Sequence, residues 1–435
     1  MRKLHTGAVL LAAAGLVMFT YGCSDESDAT TLVDPETDAG DSKDAGKRPS
    51  TGDDEDEPPA STDSGAKDAG SKPDASDAGD AGDPADADSG IDAGPPKVVV
   101  LRAGDGTTLG EQAVAAFLDE YELGTNTLTR TIALPTAAEG DNHALVLSAP
   151  MVGGPEGAIS RSPDEHAIAV SGYTSYYTDT AIPPFVVMGP PDISSRPRVV
   201  ARVAADGAVT TTTLLSDSLH ATYITGAAIS GSDVWLSGTP TGSAGPVQHL
   251  TLGNSLNGGA TTGGNIISPA EPHLALRIFE GQLYASTVGG MIKQLGMGLP
   301  TTSGQSVTTV IDGADGLFEF ELIDLDGQPG AERLYVAVDG SRSADGVSGG
   351  VQRYVYDAQA TTWTLDATFT DGVTTGVRGL TAYKDGSNVV IVTTTTEGDR
   401  LLRFVDTGAG TPTSAMIATA PNGAAFRGVA LAPKP

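Results

Sequence analysis

Several short motifs carry residue types that could do chemistry, and the first is a single thiol. Cys23 is the only cysteine in the 435 residues, so no internal disulfide can form. It follows a basic start and an apolar run at 8–19, which together have the pattern of an export signal. The run is shorter than the roughly 20 residues of a membrane-spanning helix. The sequence therefore predicts a modified thiol at Cys23, with an ordinary signal peptide and a stray cysteine as the alternative.

The residues before this thiol favour the first interpretation. Thr20-Tyr21-Gly22-Cys23 occupies the position of a lipobox, and its last two residues match that motif while the first two depart from it. The N-terminal region thus resembles bacterial lipoproteins. The resemblance implies a signal peptide over 1–22, cleavage before Cys23, and acyl chains that anchor the protein durably to a membrane. Ser24 implies the outer membrane of a Gram-negative bacterium, because aspartate at that position favours the inner membrane.

A second motif has the form of a serine nucleophile. Gly346-Val347-Ser348-Gly349-Gly350 matches the G-x-S-x-G elbow, which functions on a turn between a strand and a helix. Here it lies between two β-type runs, so a glycine-rich hairpin is favoured and no catalytic residue is predicted.

Acidic residues and histidines are the remaining candidate metal ligands. Asp324, Asp326 and Glu332 resemble part of a calcium loop, but Gln328-Pro329 interrupts the alternation of oxygen ligands that such a loop requires. A turn before the next strand is the favoured interpretation, with calcium near Asp324 and Asp326 as the alternative. No metal site is predicted from the histidines, because none is paired at ligand spacing. The histidines considered are His143, His166, His220, His249 and His273.

The composition divides the chain into two regions. Residues 24–96 contain 22 acidic and five basic residues, three large aliphatic residues and no aromatic residue. Such a segment buries too little apolar surface to fold, so 23–96 is predicted to be a disordered acidic linker between the lipid and a domain over 97–435. The domain itself has 33 acidic and 18 basic residues. Nucleic acid is therefore excluded as a partner, because phosphate binding requires a basic surface.

The domain has the pattern of an all-β protein with internal repeats. Short β-branched runs alternate with turn residues throughout. A motif of glycine, small residues and an aliphatic residue recurs at 157, 226, 379 and 428, with weaker copies at 273 and 318. Repeats of 40–50 residues are typical of a β-propeller, and the small residues suit the crowded innermost strand of each blade. We predict six blades, with seven if 98–150 contains more strands.

The last repeat predicts how the ring closes. Only four residues follow Leu431, too few for the rest of a blade. Strands near Val98 and at 127–134 are expected to complete that blade and remove the open sheet edges. Residues 111–123 fit either the domain's one helix or a buried strand.

Further motifs resemble a family of secreted, propeller-like bacterial proteins of unassigned function. Ser160-Arg161-Ser162-Pro163-Asp164, Arg378-Gly379-Leu380 and the closing Phe426-Arg427-Gly428-Val429-Ala430-Leu431-Ala432-Pro433 carry this resemblance, which spans 98–433. It implies a propeller and export, and it transfers no catalytic residues.

Two arginines are the candidate ligand-binding residues. Arg378 and Arg427 precede the inner-strand glycine of their repeats, so both are expected at one rim of the central channel. They either bind a ligand there or cap a blade by hydrogen bonding to loop carbonyls. The function predicted is a lipid-anchored, non-catalytic module of the cell envelope that binds a protein or glycan. The alternative is a propeller hydrolase or lyase acting on phosphoesters, lactones or glycans.

Overall fold

The computed structural model describes residues 95–106, 113–147, 156–174, 197–215, 223–239, 246–253, 264–265, 271–313, 316–342 and 349–435. All of these lie in one unit that spans 86–435. They form strands almost throughout, with one 3₁₀ turn at Gly340–Arg342. Within these ranges, no helix has the length and apolar character needed to cross a membrane. The predicted all-β class is confirmed.

Twenty-five strands follow one another in the described ranges. The N-terminal strands are β1 (Lys97–Ala103), β2 (Val114–Glu122), β3 (Thr127–Ala133) and β4 (Val146–Leu147). The next eight are β5 (Ser160–Arg161), β6 (Ala167–Tyr173), β7 (Arg198–Ala204), β8 (Val209–Leu215), β9 (Ile224–Ser230), β10 (Asp233–Gly238), β11 (Val247–Thr251) and β12 (Gly264–Asn265). Eight more are β13 (His273–Phe279), β14 (Gln282–Thr287), β15 (Met291–Leu295), β16 (Val307–Asp312), β17 (Leu317–Ile323), β18 (Arg333–Val338), β19 (Gly350–Asp357) and β20 (Thr362–Phe369). The last are β21 (Val377–Asp385), β22 (Asn388–Thr395), β23 (Arg400–Asp406), β24 (Ser414–Thr419) and β25 (Ala425–Leu431).

In the described ranges these strands form six four-stranded antiparallel blades. Blades 1 to 5 are β5–β8, β9–β12, β13–β16, β17–β20 and β21–β24, and blade 6 has the order β25-β1-β2-β3. The short strand β4 pairs with β2 and β6, so blades 6 and 1 form one continuous nine-stranded sheet. The inner strands β5, β9, β13, β17, β21 and β25 contact their neighbours around the ring. This arrangement is a β-propeller, as the repeats predict.

The two ends of the domain close the ring. β25 pairs antiparallel with β1, with Val98 opposite Leu431 and Val100 opposite Val429. β1 then pairs along its whole length with β2. Residues 114–122 are therefore a strand and not a helix, because their backbone pairs with β1 on one edge and with β3 on the other. Closure by N- and C-terminal strands is confirmed.

The inner strands approach each other so closely that only glycine fits at some positions. A Cβ atom at Gly379 would lie 2.3 Å from the Arg427 carbonyl oxygen, and one at Gly428 would lie 2.4 Å from the Gly157 carbonyl oxygen. Side chains cannot be accommodated at such distances. The small residues at the start of each repeat therefore follow from the crowding of six strands around one axis.

Burial falls from the axis to the rim of each blade. Strand β22 is buried at seven of its eight positions, because both of its faces pack against neighbouring blades. The outermost strand β20 exposes half of its residues and buries one. The core thus lies between the blades, and the polar groups that reach the axis are exceptions to an apolar interior.

Candidate functional site

A buried ion pair closes the central channel. Arg277 on β13 donates from Nη2 to Oε2 of Glu319 on β17 at 3.0 Å, and both side chains are less than a tenth exposed. The same guanidinium donates to the carbonyl oxygens of Ile159 and Leu380, each at 3.0 Å. Ile159 immediately precedes β5, and Leu380 lies on β21. One side chain therefore links four blades across the axis.

Burial controls the charge of Glu319. The carboxylate accepts hydrogen bonds from the backbone amides of Leu380 at 2.8 Å and Ile159 at 3.3 Å. Desolvation raises the pKa of Glu319 to about 7, although Arg277 and these amides favour the charged form. Glu319 is therefore poised between its two protonation states near neutral pH.

On one side of this pair a recess opens at the amino-terminal ends of the inner strands; we call it the mouth. It has a volume of about 20 Å³, enough for one water molecule or a small charged group. The ionisable side chains that line it are Glu156, Glu319, Arg378 and Arg427. The mouth is therefore narrow, and two guanidinium groups and two carboxyl groups line it.

Arg378 is held by a buried carboxylate. Its Nε and Nη2 atoms donate to Oδ2 of Asp339 at 2.9 and 2.6 Å. Asp339 also accepts from the Ser341 hydroxyl at 2.7 Å and the Thr396 hydroxyl at 3.2 Å. Burial would raise the pKa of Asp339, but Arg378 and Ser341 outweigh it and lower that pKa. The guanidinium also lies 4.8 Å from the centre of the Phe318 ring. Arg378 is thus neutralised and oriented by its own blade and the preceding one.

Arg427 differs from Arg378 in its partners. Within the described ranges, its guanidinium makes no hydrogen bond and no ion pair with another residue. Burial and the neighbouring Arg378 together lower the pKa of Arg427 to about 10, although Glu156 opposes the shift. The group still carries its positive charge at neutral pH. Its stem crosses Gly157, where a Cβ would lie 2.9 Å from the Arg427 Cβ. Arg427 is therefore a positioned cation that faces the mouth.

Glu156, which lines the mouth, is held by a tyrosine. The Tyr173 hydroxyl donates to Oε1 of Glu156 at 2.7 Å and accepts from the backbone amide of Ile224 at 3.1 Å. Burial raises the pKa of Tyr173 well above its usual value, so the hydroxyl stays protonated. Glu156 is therefore held in place in the lining of the mouth.

The remaining predicted residues lie elsewhere. Cys23 and Ser348 are outside the described residues. Asp324, Asp326 and Glu332 place carboxylate oxygens within 4.8 Å of one another, and each carboxylate accepts hydrogen bonds from turn amides. The turn is as predicted, and calcium binding there stays a prediction.

Four of the five histidines lie in the described ranges and three have ring contacts. His249 pairs with Asp233, His166 contacts the Lys434 carbonyl, and buried His273 contacts the Glu271 carbonyl. Burial lowers the pKa of His273 to about 4, so it is neutral at physiological pH. None of these three contacts brings a histidine to the mouth.

Sequence reasoning missed the axial pair and the acidic partners. Glu319 and Glu321 were visible as charged residues at a repeat position where other copies have small or aliphatic residues. Arg277 occupies the equivalent strand of the preceding blade. Nothing in the sequence indicates that Asp339, 39 residues before Arg378, is its partner.

Fold and mouth together define a β-propeller with six blades in the described ranges, whose channel is closed by an ion pair and carries two arginines at one end. The chain is similar to three solved propeller-containing structures. The periplasmic gluconolactonase PpgL of Pseudomonas aeruginosa is 12% identical, with 78% of this chain and 100% of that chain covered and a TM-score of 0.41. The β-propeller domain of Cps50 (Swd1) from Myceliophteria thermophila is 11% identical, with 73% and 88% covered and a TM-score of 0.37. A glucose dehydrogenase is 11% identical, with 71% and 96% covered and a TM-score of 0.35.

No protein-family model matches the sequence, and no curated protein does. The low identities and TM-scores of the solved structures give no basis for transferring an activity. Function therefore has to be argued from the residues of the mouth.

Proposed function

We propose that this protein is an exported, lipid-anchored binding module of the cell envelope, and that its mouth holds an anionic group of an extracellular glycan. The observation that carries the proposal is Arg427, a cationic side chain at the mouth with no anionic partner in the described ranges. The Arg427 side chain is partly buried, and a ligand carboxylate would supply the counter-charge that no described residue provides at hydrogen-bonding distance. Arg378 adds a second positive group but is already paired with Asp339.

The geometry suits a carboxylate more than a bulky group. The mouth accommodates about one water at its base, so only a small terminal group would reach Arg427. A guanidinium binds carboxylate oxygens with two parallel hydrogen bonds, which gives both affinity and orientation. Glycans that contain uronic acids present such a group on a rigid ring. The lipid on Cys23 and the acidic linker would hold the domain away from the membrane surface.

The test is binding of the full-length protein to an array of acidic and neutral glycans. We expect retention of uronate-containing glycans and a loss of roughly 10- to 100-fold in affinity for Arg427→Gln, because hydrogen bonds to charged groups contribute about 1.5–3 kcal/mol. Arg333→Gln is the matched control, since Arg333 on β18 lies outside the mouth and donates only to the neighbouring Glu332 carbonyl. Equal binding of acidic glycans by wild type and Arg427→Gln would contradict the proposal.

A second candidate is hydrolysis or lyase chemistry in the same mouth. The observation that favours it is Glu319, whose pKa of about 7 suits a general acid or base. Both of its oxygens already accept hydrogen bonds from protein groups, which favours a structural role. Glu319→Gln separates the two functions: a catalyst loses turnover of lactone, phosphoester or glycan substrates, whereas a binding module retains its acidic glycans.

A further inference from the structure

The opposite end of the channel contains a second and larger cavity. It opens at the carboxyl-terminal ends of the inner strands, on the other side of the Arg277 and Glu319 pair from the mouth. Its volume is about 280 Å³, near the lower end of the ~300–1,000 Å³ range of small-molecule sites. We call it the basal pocket, and the residues that define it are Arg161, Glu165, Arg277, Glu321, Thr381 and Tyr383.

The charges of the basal pocket are paired with each other. Arg161 Nη2 lies 2.6 Å from Glu165 Oε1, and Arg277 Nε lies 3.2 Å from Glu321 Oε2. Two guanidinium groups and two carboxylates therefore balance in the lining. Unlike the mouth, this pocket does not favour a ligand with net charge. It favours a ligand that can both donate and accept hydrogen bonds.

Three polar groups of the pocket are available to such a ligand. In the described ranges, Glu321 Oε1, the Thr381 hydroxyl and the Tyr383 hydroxyl have no hydrogen-bond partner. Thr381 is 4% exposed, and the Glu321 side chain is 25% exposed. Burial raises the pKa of Glu321. A ligand hydroxyl would replace the water at these groups without the loss of a hydrogen bond.

We infer that the basal pocket binds one neutral sugar ring. Adjacent ring hydroxyls match the alternating donors and acceptors of the paired guanidinium and carboxylate groups. The Tyr383 side chain supplies an aromatic face for the apolar C–H face of the ring and a hydroxyl for its polar edge. A single pyranose fits the pocket volume, whereas an aliphatic ligand would leave the paired charges desolvated without hydrogen bonds. This inference does not depend on the mouth, because the ligand class and the end of the channel both differ.

The experiment is saturation-transfer NMR and calorimetric titration of the full-length protein with glucose, galactose, mannose, N-acetylglucosamine and glucuronate. At least one neutral sugar should bind, and Glu321→Gln and Tyr383→Phe should each weaken it by about tenfold, since the first replaces a charged acceptor with a neutral amide and the second removes a hydroxyl group. Tyr356→Phe on β19 is the matched control, because Tyr356 lies outside the pocket. Circular dichroism and thermal unfolding check that each variant is folded.

Two results would overturn the inference. One is the absence of binding by every neutral sugar of the set to the folded wild-type protein. The other is sugar binding that Glu321→Gln and Tyr383→Phe leave unchanged, which would place the sugar elsewhere. Arg427→Gln must retain neutral-sugar binding, so failure of the mouth proposal and failure of this one are distinguishable.

Discussion

Substitution of the axial carboxyl group changes how the stability of the propeller depends on pH. Glu319 is 2% exposed, and its pKa rises from 4.5 to about 7 on folding. Between these values the folded protein retains a proton that the unfolded chain has lost, so stability falls as the pH rises. Each pKa unit corresponds to about 1.4 kcal/mol, and the total loss is therefore about 3 kcal/mol. The loss is complete above about pH 7 and absent below about pH 4.5.

Urea unfolding of wild type and Glu319→Gln at about pH 5 and about pH 8 measures this term. Over that interval the free energy of unfolding should fall by about 2–3 kcal/mol more for wild type than for the variant. This is equivalent to roughly 5 °C in melting temperature for a large domain. The glutamine resembles the protonated acid in shape but cannot ionise. Glu139→Gln, at an exposed turn, is the matched control and should behave as wild type.

Two outcomes would contradict a raised pKa of Glu319. If Arg277 keeps Glu319 charged more effectively than burial neutralises it, wild-type stability would rise with pH relative to the variant. An identical pH dependence in wild type and Glu319→Gln would likewise show that the axial carboxyl group does not titrate in this range.

Three further predictions concern the anchor, the linker and the closure of the ring. Cys23→Ser should release the protein from membranes or leave an unprocessed precursor, as fractionation and mass determination would reveal; normal processing with membrane retention would contradict lipidation. Deletion of 30–90 should change the melting temperature by less than about 1 °C, because the predicted linker adds no core contacts; a loss of several degrees would contradict it. Removal of 424–435 should abolish cooperative unfolding measured by calorimetry, because it removes the buried side chains of Phe426 and Val429, each worth about 1.5–3 kcal/mol, and leaves β1 without its inner-strand partner β25. Trimming 433–435 should have little effect, and a cooperative domain that ends at Asn422 would disprove the closure.

The fold was predictable because its repeats have a physical cause. Small residues recur at positions such as Gly379 and Gly428 because the inner strands crowd around one axis. The sequence therefore shows a repeated motif of small residues. The closure was expected because the strands near Val98 and at 127–134 precede the first repeat motif, and the structure pairs β1 with the inner strand β25 of the last repeat. The secondary structure of 111–123 was not predictable, since an apolar run of that length fits a helix or a buried strand. Only the pairing with β1 and β3 decides between them.

The site was predictable only in part. Arg378 and Arg427 share a repeat position, and both line the mouth, but their partners differ because Asp339 reaches one of them and not the other. Such a pairing depends on where a loop of the preceding blade runs, which no local pattern encodes. The axial pair of Arg277 and Glu319 has the same origin, because its two members are 42 residues apart and meet only when blades 3 and 4 pack against each other.

The proposed function makes Arg427 the anion-binding group of the mouth. The most direct measurement is the NMR signal of the Arg427 Nε–H group in the full-length protein, assigned by its loss in Arg427→Gln and followed during titration with a uronate-containing oligosaccharide. We predict a saturable shift of that signal, with a smaller shift for Arg378, whose Nε–H already donates to Asp339. An Arg427 signal that stays unchanged while the oligosaccharide binds would contradict the claim.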